Sequence, residues 1–375
     1  MRSNHTDKIL RTFLTNIFFV VGLNTPYSLM NMLHVLITAA VTGDFVNNTC
    51  FKIKPGPNGQ TVFNRLFDCT NTKIENAFNM LTESMLKRIK VSLRNRKVIL
   101  AFDTHCQAFY GNINNNPYWI HDYNPVRGST GSYIFITVAI VVGEKRFTLG
   151  VLPVPRGWNQ ADYVEKLIVL ARRYIVIESC SFDRGFTSYE LINRLKSLRV
   201  KYQIFWKKGN KKETWVNKEL KTLRNKEMKE VIHVGNFNKN HTKYDVRTRF
   251  VIIKQYCYKD DTQPYDWIFA TNVKLKSQMW YIRRYKCRWG IETNYRMTKE
   301  VKIKTTTLNE TKRYFLFAFS CLLYNLWKFT NFVSKTKISF KTFVFIFQKV
   351  VSKNITNQKP PDWSICVEKK IRAYF

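Results

Sequence analysis

Acidic side chains are scarce in this chain. Its 375 residues hold 26 Asp and Glu against 62 Lys and Arg, a formal net charge of +36. The excess runs along most of the sequence and is not confined to a tail. A field of that sign attracts polyanions, and each phosphate contact releases counterions. Nucleic acid is therefore the leading partner, ahead of a membrane surface. Closely spaced cysteines are missing as well. The eight cysteines lie far apart with no CxxC pair, which excludes a zinc ribbon or finger. Asp7 and Lys8 interrupt the early apolar run, so no signal peptide is expected. The cysteines then read as reduced thiols of an intracellular protein. No apolar run reaches the ~20 residues a bilayer requires. Leu29–Val46 is broken by polar residues and Tyr314–Trp327 is too short; both read as buried helices, and no membrane partner is expected. Neither an internal repeat nor a low-complexity tract is present.

What the chain does have is core material. Hydrophobic residues make up 45% of it, enough for a sizeable core, and the length suggests two or three domains. Residues 1–95 read as a helical, DNA-binding domain. Ile74, Phe78, Leu81, Met85 and Ile89 recur at helical spacing, and a shorter helix over Thr61–Phe67 precedes them across a turn. Two helices and a tight turn suit a helix-turn-helix. A basic cluster of Lys87, Arg88, Lys90, Arg94, Arg96 and Lys97 favours DNA contact there.

The pattern then changes. Lys97–Asp103, Tyr133–Val142 and Arg146–Val154 read as three successive strands, the last two separated by Gly143-Glu144. Ala161–Arg173 reads as a helix and Tyr174–Phe182 as a strand ending on Asp183. Thr187, with Glu190 three residues on, opens another helix as a capping box. Val200–Trp206 is a fifth strand. This order specifies an α/β fold with a mixed sheet and flanking helices, the RNase H-like order, with residues 96–206 as its first part. Residues 207–270 are basic and partly β, with strands at Phe250–Tyr258 and Trp267–Thr271, and read as an insertion. Residues 271–330 resume the α/β domain with one long helix from about Ser277 to Lys302, capped by Ser277, and an apolar helix over Lys312–Phe329. Residues 331–375 form a basic carboxyl-terminal segment.

Scarce acids make well-placed ones informative. Asp103 and Asp183 each end a buried-looking strand, and ligands bind at such sheet edges. An Asp that merely caps a turn is the commoner case for either one alone. The expected long helix adds weight. Tyr285, Arg288, Glu292 and Lys299 share one stripe about 60° wide at ~100° per residue, and Arg296 extends it. A lone carboxylate among cationic and phenolic groups suits a metal ion beside a phosphate, with Arg and Lys gripping its oxygens. Ion pairs on a solvated helix face would also account for Arg288 and Glu292.

The spacing Tyr-x2-Arg-x3-Glu-x6-Lys resembles the signature of cut-and-paste insertion-sequence transposases with a DDE triad. Tyr285, Arg288, Glu292 and Lys299 match it without departure. Ala101-Phe102-Asp103-Thr104-His105 resembles the first-Asp segment, particularly that of archaeal and some bacterial insertion sequences, and Phe182-Asp183-Arg184-Gly185-Phe186 the second. The resemblance implies that Asp103, Asp183 and Glu292 are the catalytic residues and hold two Mg2+ or Mn2+ ions. It implies hydrolysis at transposon ends followed by strand transfer of the 3′-OH into target DNA. Tyr285, Arg288 and Lys299 would bind DNA phosphate, and Arg296, on the same face, would add to them. The partners implied are the terminal inverted repeats, target DNA and a second copy in a synaptic homodimer. The location implied is the cytoplasm of a prokaryote, on the nucleoid. Two other readings use the same residues: an RNase H-like nuclease or resolvase without strand transfer, and a non-catalytic, transposase-derived DNA-binding protein. Intact carboxylates argue against the latter. His105 shares the face of Asp103, Gly290 sits inside the expected helix, and Trp206, Trp215 and Trp267 flank or occupy the insertion. For the tryptophans core packing is the expected role.

Overall fold

A computed structural model describes residues 27–53, 56–64, 69–93, 97–142, 145–209, 214–258, 263–334 and 337–356. Gly143, Glu144, Arg94, Arg96 and residues 357–375 of the basic carboxyl-terminal segment lie outside the described residues. Helices α1 (Leu29–Thr42), α2 (Val46–Lys52), α3 (Gly59–Asn64) and α4 (Asn71–Leu93) come first. They lead into strands β1 (Val98–Phe109), β2 (Gly131–Val142) and β3 (Lys145–Val154). Next come α5 (Gln160–Arg172), β4 (Ile177–Phe182), α6 (Tyr189–Ser197) and β5 (Tyr202–Phe205). The expected order of three strands, helix, strand, helix, strand is therefore present. Pairing is antiparallel for β1–β2 and β2–β3, and parallel for β1–β4 and β4–β5. One cap moves by a residue. Ser188 rather than Thr187 opens α6, accepting from the Leu191 N–H at 3.3 Å. The Thr187 hydroxyl instead donates to the Arg184 carbonyl, closing the preceding turn.

The 207–270 stretch supplies α7 (Trp215–Thr222), β6 (Met228–Lys239), β7 (Thr242–Tyr256) and β8 (Tyr265–Thr271). These strands join the main sheet. Its order is β3-β2-β1-β4-β5-β8-β7-β6, with β8 antiparallel to β5. The three tryptophans here are packed: Trp206 and Trp267 are buried, and Trp215 stacks on His233 at 4.1 Å.

After β8 the chain enters α8 (Gln278–Lys286), α9 (Trp289–Lys299), α10 (Glu310–Ser334) and α11 (Phe340–Thr356). Ser277 caps α8 as expected. The single long helix does not form. Across Cys287–Ile291 the N–H groups of Arg288 and Ile291 each donate three residues back, at 2.8 Å. Such bonds tighten the turn to about 3.0 residues, so a uniform 3.6-residue wheel fails there.

The amino-terminal helices are not set apart from the sheet. Ile74, Phe78, Leu81, Met85 and Ile89 of α4 share one buried cluster with α1, α10, α11 and apolar residues of β2 and β3. Asn325 of α10 fixes that layer by hydrogen bonding both the N–H and the carbonyl of Thr148 in β3. Removing residues 1–95 therefore strips one wall from this core. The truncated chain is expected to lose its cooperative unfolding transition, and Phe78→Ala in the full chain to cost about 3–5 kcal/mol. Urea unfolding followed by circular dichroism measures both. An intact transition in the truncated chain would show that the helices fold separately.

Candidate active site

The parallel pairing of β1 and β4 sets the first two acids. Its last registered pair is Phe102 with Phe182, whose rings stack at 4.8 Å. Asp103 and Asp183 are the next residues on each strand. They emerge side by side at the carboxyl end of the parallel pair, where α/β sheets bind ligands. Asp183 follows the end of β4 as expected. Asp103 does not end its strand. β2 continues to pair with β1 as far as Phe109, so Asp103 lies mid-strand opposite Thr137. What stops there is the parallel neighbour. Asp103 accepts from the Thr104 N–H at 2.8 Å, and Asp183 accepts from the Gly185 N–H at 2.8 Å, capping a short turn.

Glu292 comes from the first turn of α9. The close seating of α9 explains Gly290: a Cβ there would lie 3.1 Å from Arg146 Nε and 3.2 Å from Val141 Cγ1. The glycine admits the sheet. Tyr295 tightens the same contact. It lies three residues beyond Glu292, its hydroxyl is hydrogen bonded to Thr137, and its ring leans on His105 at 5.2 Å. Sequence reasoning missed Tyr295; its spacing from Glu292 was the available signal.

Arg288 joins the acids. Only 6% of its side chain is exposed, and its two terminal nitrogens reach Asp103 at 3.4 Å and Glu292 at 2.5 Å. Burial opposes the guanidinium charge, but Tyr285, Asp103, Asp183 and Glu292 outweigh it and raise its pKa. Its Nε has no hydrogen-bond partner among the described residues. Tyr285 is buried beneath it, 5.5 Å from the guanidinium carbon, and packs on Phe205, Trp267 and Phe269. The expected single stripe is thus divided: Tyr285 and Arg288 are interior, while Glu292, Arg296 and Lys299 are exposed. Lys299 lies a turn and more beyond Glu292, lining a small recess with His105 and Lys302. His105 stacks on Phe317 at 4.7 Å, and burial, then Lys302 and Lys299, lower its pKa to about 3, so it stays neutral.

Beside Asp183 a cavity of about 540 Å³ opens. Phe205, Tyr265 and Trp267 line it together with Arg184, whose guanidinium lies 4.4 Å from the Phe205 ring. Arg184 is a second cation that the sequence pattern had not assigned, though it adjoins the second Asp.

Among the described residues no three His, Cys, Asp or Glu side chains stand together as a ready metal site. Arg288 instead holds one oxygen each of Asp103 and Glu292. Chemically the donor set is all carboxylate, the kind that suits hard divalent cations. The electrostatics agree. Burial lifts the Asp103 carboxyl to about 7, and Asp183 and Glu292 push the same way against Arg288 and the Thr104 N–H. A raised carboxyl pKa stabilises the fold only while the group is protonated. That contribution is complete below the ordinary 3.8 and is lost as pH rises through about 7. In chelator, Asp103→Asn is therefore expected to gain stability over the unaltered protein as pH rises. The gain grows from near zero below pH ~4 to at most about 4 kcal/mol above pH ~7. Thermal unfolding across that range reads it, and a pH-independent difference would refute the assignment.

A family model described as a transposase DDE domain matches residues 116–326. The matched span, more than half of the chain, includes Asp183 and Glu292 and begins beyond Asp103. No curated protein matches in sequence. Among solved structures the fold is similar to that of piggyBac transposase, seen by cryo-EM in a synaptic complex with hairpin DNA. The TM-score is 0.54 at 13% identity, over 98% of this chain and 82% of that one. The mixed sheet with its flanking helices is thus RNase H-like. Among the described residues no helix is long and apolar enough to cross a membrane. Proteins of this family act on DNA and generally use divalent metal ions, and by the match over residues 116–326 this chain belongs to the DDE transposase family.

Proposed function

We propose that Asp103, Asp183 and Glu292 are the catalytic carboxylates of a transposase that hydrolyses DNA at transposon ends and transfers the 3′-OH into target DNA. The observation that carries this is the bridge at Arg288. A buried cation ties the acid on β1 to the acid on α9, at the strand end where Asp183 also emerges. Two Mg2+ or Mn2+ ions held by these three residues would supply an activated water or 3′-OH and neutralise the leaving oxygen.

The protein's own groups do the rest. Asp103 and Asp183 hold fixed positions because their strands are paired up to the preceding residue. Glu292 is exposed and its partner is Arg288, so it is free to turn once that arginine is engaged elsewhere. Among the described residues the Arg288 Nε has no hydrogen-bond partner, which leaves it as a donor for a phosphate oxygen. Its fork grips a phosphate in two places where a lysine would hold one. Tyr285, held near-neutral by burial that lifts its pKa to about 12, backs the guanidinium. Lys299, with Arg296 on the same helix, meets the DNA strand farther along. The amino-terminal helices and the basic surface add duplex contacts, and two copies synapse two ends.

Three substitutions test this. Asp103→Ala and Glu292→Gln should each reduce Mn2+-dependent nicking of an end-bearing duplex to background with the fold retained. Lys299→Ala should weaken end binding about 10-fold, the loss of one charge-assisted hydrogen bond, with smaller effect on the rate at saturation. Gel assays with pre-cleaved ends then look for joined product. Cleavage without joining identifies a nuclease or resolvase, and unaltered nicking by Asp103→Ala removes the assignment.

A further inference from the structure

The opposite edge of the sheet carries a second charged feature. The three segments that lead into β1, β4 and β5 converge there around a cavity of about 470 Å³. Lys97, Arg172, Arg199 and Lys201 line it, and all four are exposed. Among the described residues Glu178 is its one acid, and Arg284 already pairs with that carboxylate at 2.9 Å. Four cations therefore face a space with no free counter-charge of its own. Two of them are also held in place. Arg172 donates to the Leu198 carbonyl, which keeps its guanidinium at the rim. Arg199 ends α6 in the left-handed region, φ 52°, with its N–H on the Lys196 carbonyl at 2.8 Å. Glycine is the favoured residue at such a helix end. Here an arginine accepts the strain and brings its charge to the cleft. The basic run that begins at Lys87 ends at Lys97 on the same edge.

This edge is not the one that bears the carboxylates. From Val98 to Asp103 along β1 is about 17 Å at ~3.3 Å per residue. Phosphates held at Asp103 and Asp183 are therefore different from those within reach of Lys97 and Lys201. We propose that the cleft between β1, β4 and β5 binds the phosphate backbone of a further stretch of duplex DNA, apart from the strand at the carboxylates. The inference rests on the transposase reading for its ligand and on the cleft for its place.

The test is the salt dependence of binding to a non-specific duplex, read by fluorescence anisotropy. One variant combines Lys97→Ala, Arg172→Gln, Arg199→Gly and Lys201→Ala. A control removes equal charge elsewhere, by Lys218→Ala, Lys221→Ala, Lys239→Ala and Lys243→Ala. Each phosphate contact contributes about 0.9 to the slope of log K against log salt. The cleft variant should lose about 2–4 from that slope, with single-turnover nicking of a saturating short end unchanged. The control should lose less than about 1. Equal losses in both variants, or none in the first, overturn the proposal. So does competition by inorganic phosphate that vanishes in the cleft variant while its duplex slope stays intact, which would mark a site for free phosphate. A slope difference in a chain that cuts no DNA would instead sustain the cleft and sink the transposase reading.

Discussion

A buried guanidinium between two carboxylates is the interaction on which the rest of this site depends. Removing charge from water is costly, and a buried arginine persists only where its partners compensate. Arg288 finds them on two elements far apart in sequence: Asp103 in β1 and Glu292 in α9. The pairing couples the parallel half of the sheet to the helix that follows β8. The tight turn at Cys287–Ile291 is part of the same arrangement. An unbroken helix would keep Tyr285 and Glu292 on one face, whereas here Tyr285 is buried and Glu292 remains at the surface. Burial still lifts the Asp103 carboxyl above its ordinary range in spite of the arginine.

Much of the site was legible because strands and helices impose short-range rules. Two aspartates directly after apolar runs, and a Tyr-Arg-Glu-Lys spacing in a predicted helix, needed only periodicity and residue chemistry. What periodicity could not show was set by partners distant in sequence. The extent of β1 beyond Asp103 depends on β2, which keeps pairing after β4 has stopped. The shift of the α6 cap from Thr187 to Ser188 follows from a turn bond to Arg184. The break before Glu292 has no proline to announce it. Gly290 was visible, but only the seating of α9 on Val141 and Arg146 explains it. Tyr295 looked like one more aromatic until Thr137 was placed against it.

The sheet likewise divides differently from the sequence. Composition marks residues 207–270 as a separate, basic stretch, yet β8 lies directly against β5 and β7 against β8. A polar surface does not prevent a stretch from supplying core strands, because alternate residues face opposite sides. In β7 the exposed, charged start gives way to Phe250–Ile253, which are fully buried. The amino-terminal helices are joined to the sheet by the same physics. The apolar stripe of α4 has nowhere to go but the core it shares with α10.

The β5–β8 pairing has a consequence for how the protein comes into being. Its partners, such as Gln203 and Thr271, are separated by the whole of α7, β6 and β7. Loop closure over such a span is entropically unfavourable until intervening structure shortens it. The β1–β4 pair, and with it the two aspartates, can assemble from chain already synthesised. Glu292 lies on α9, which follows the later strands in the chain. A partly synthesised chain therefore carries Asp103 and Asp183 on neighbouring strands without Glu292, which the sequence supplies only after β8.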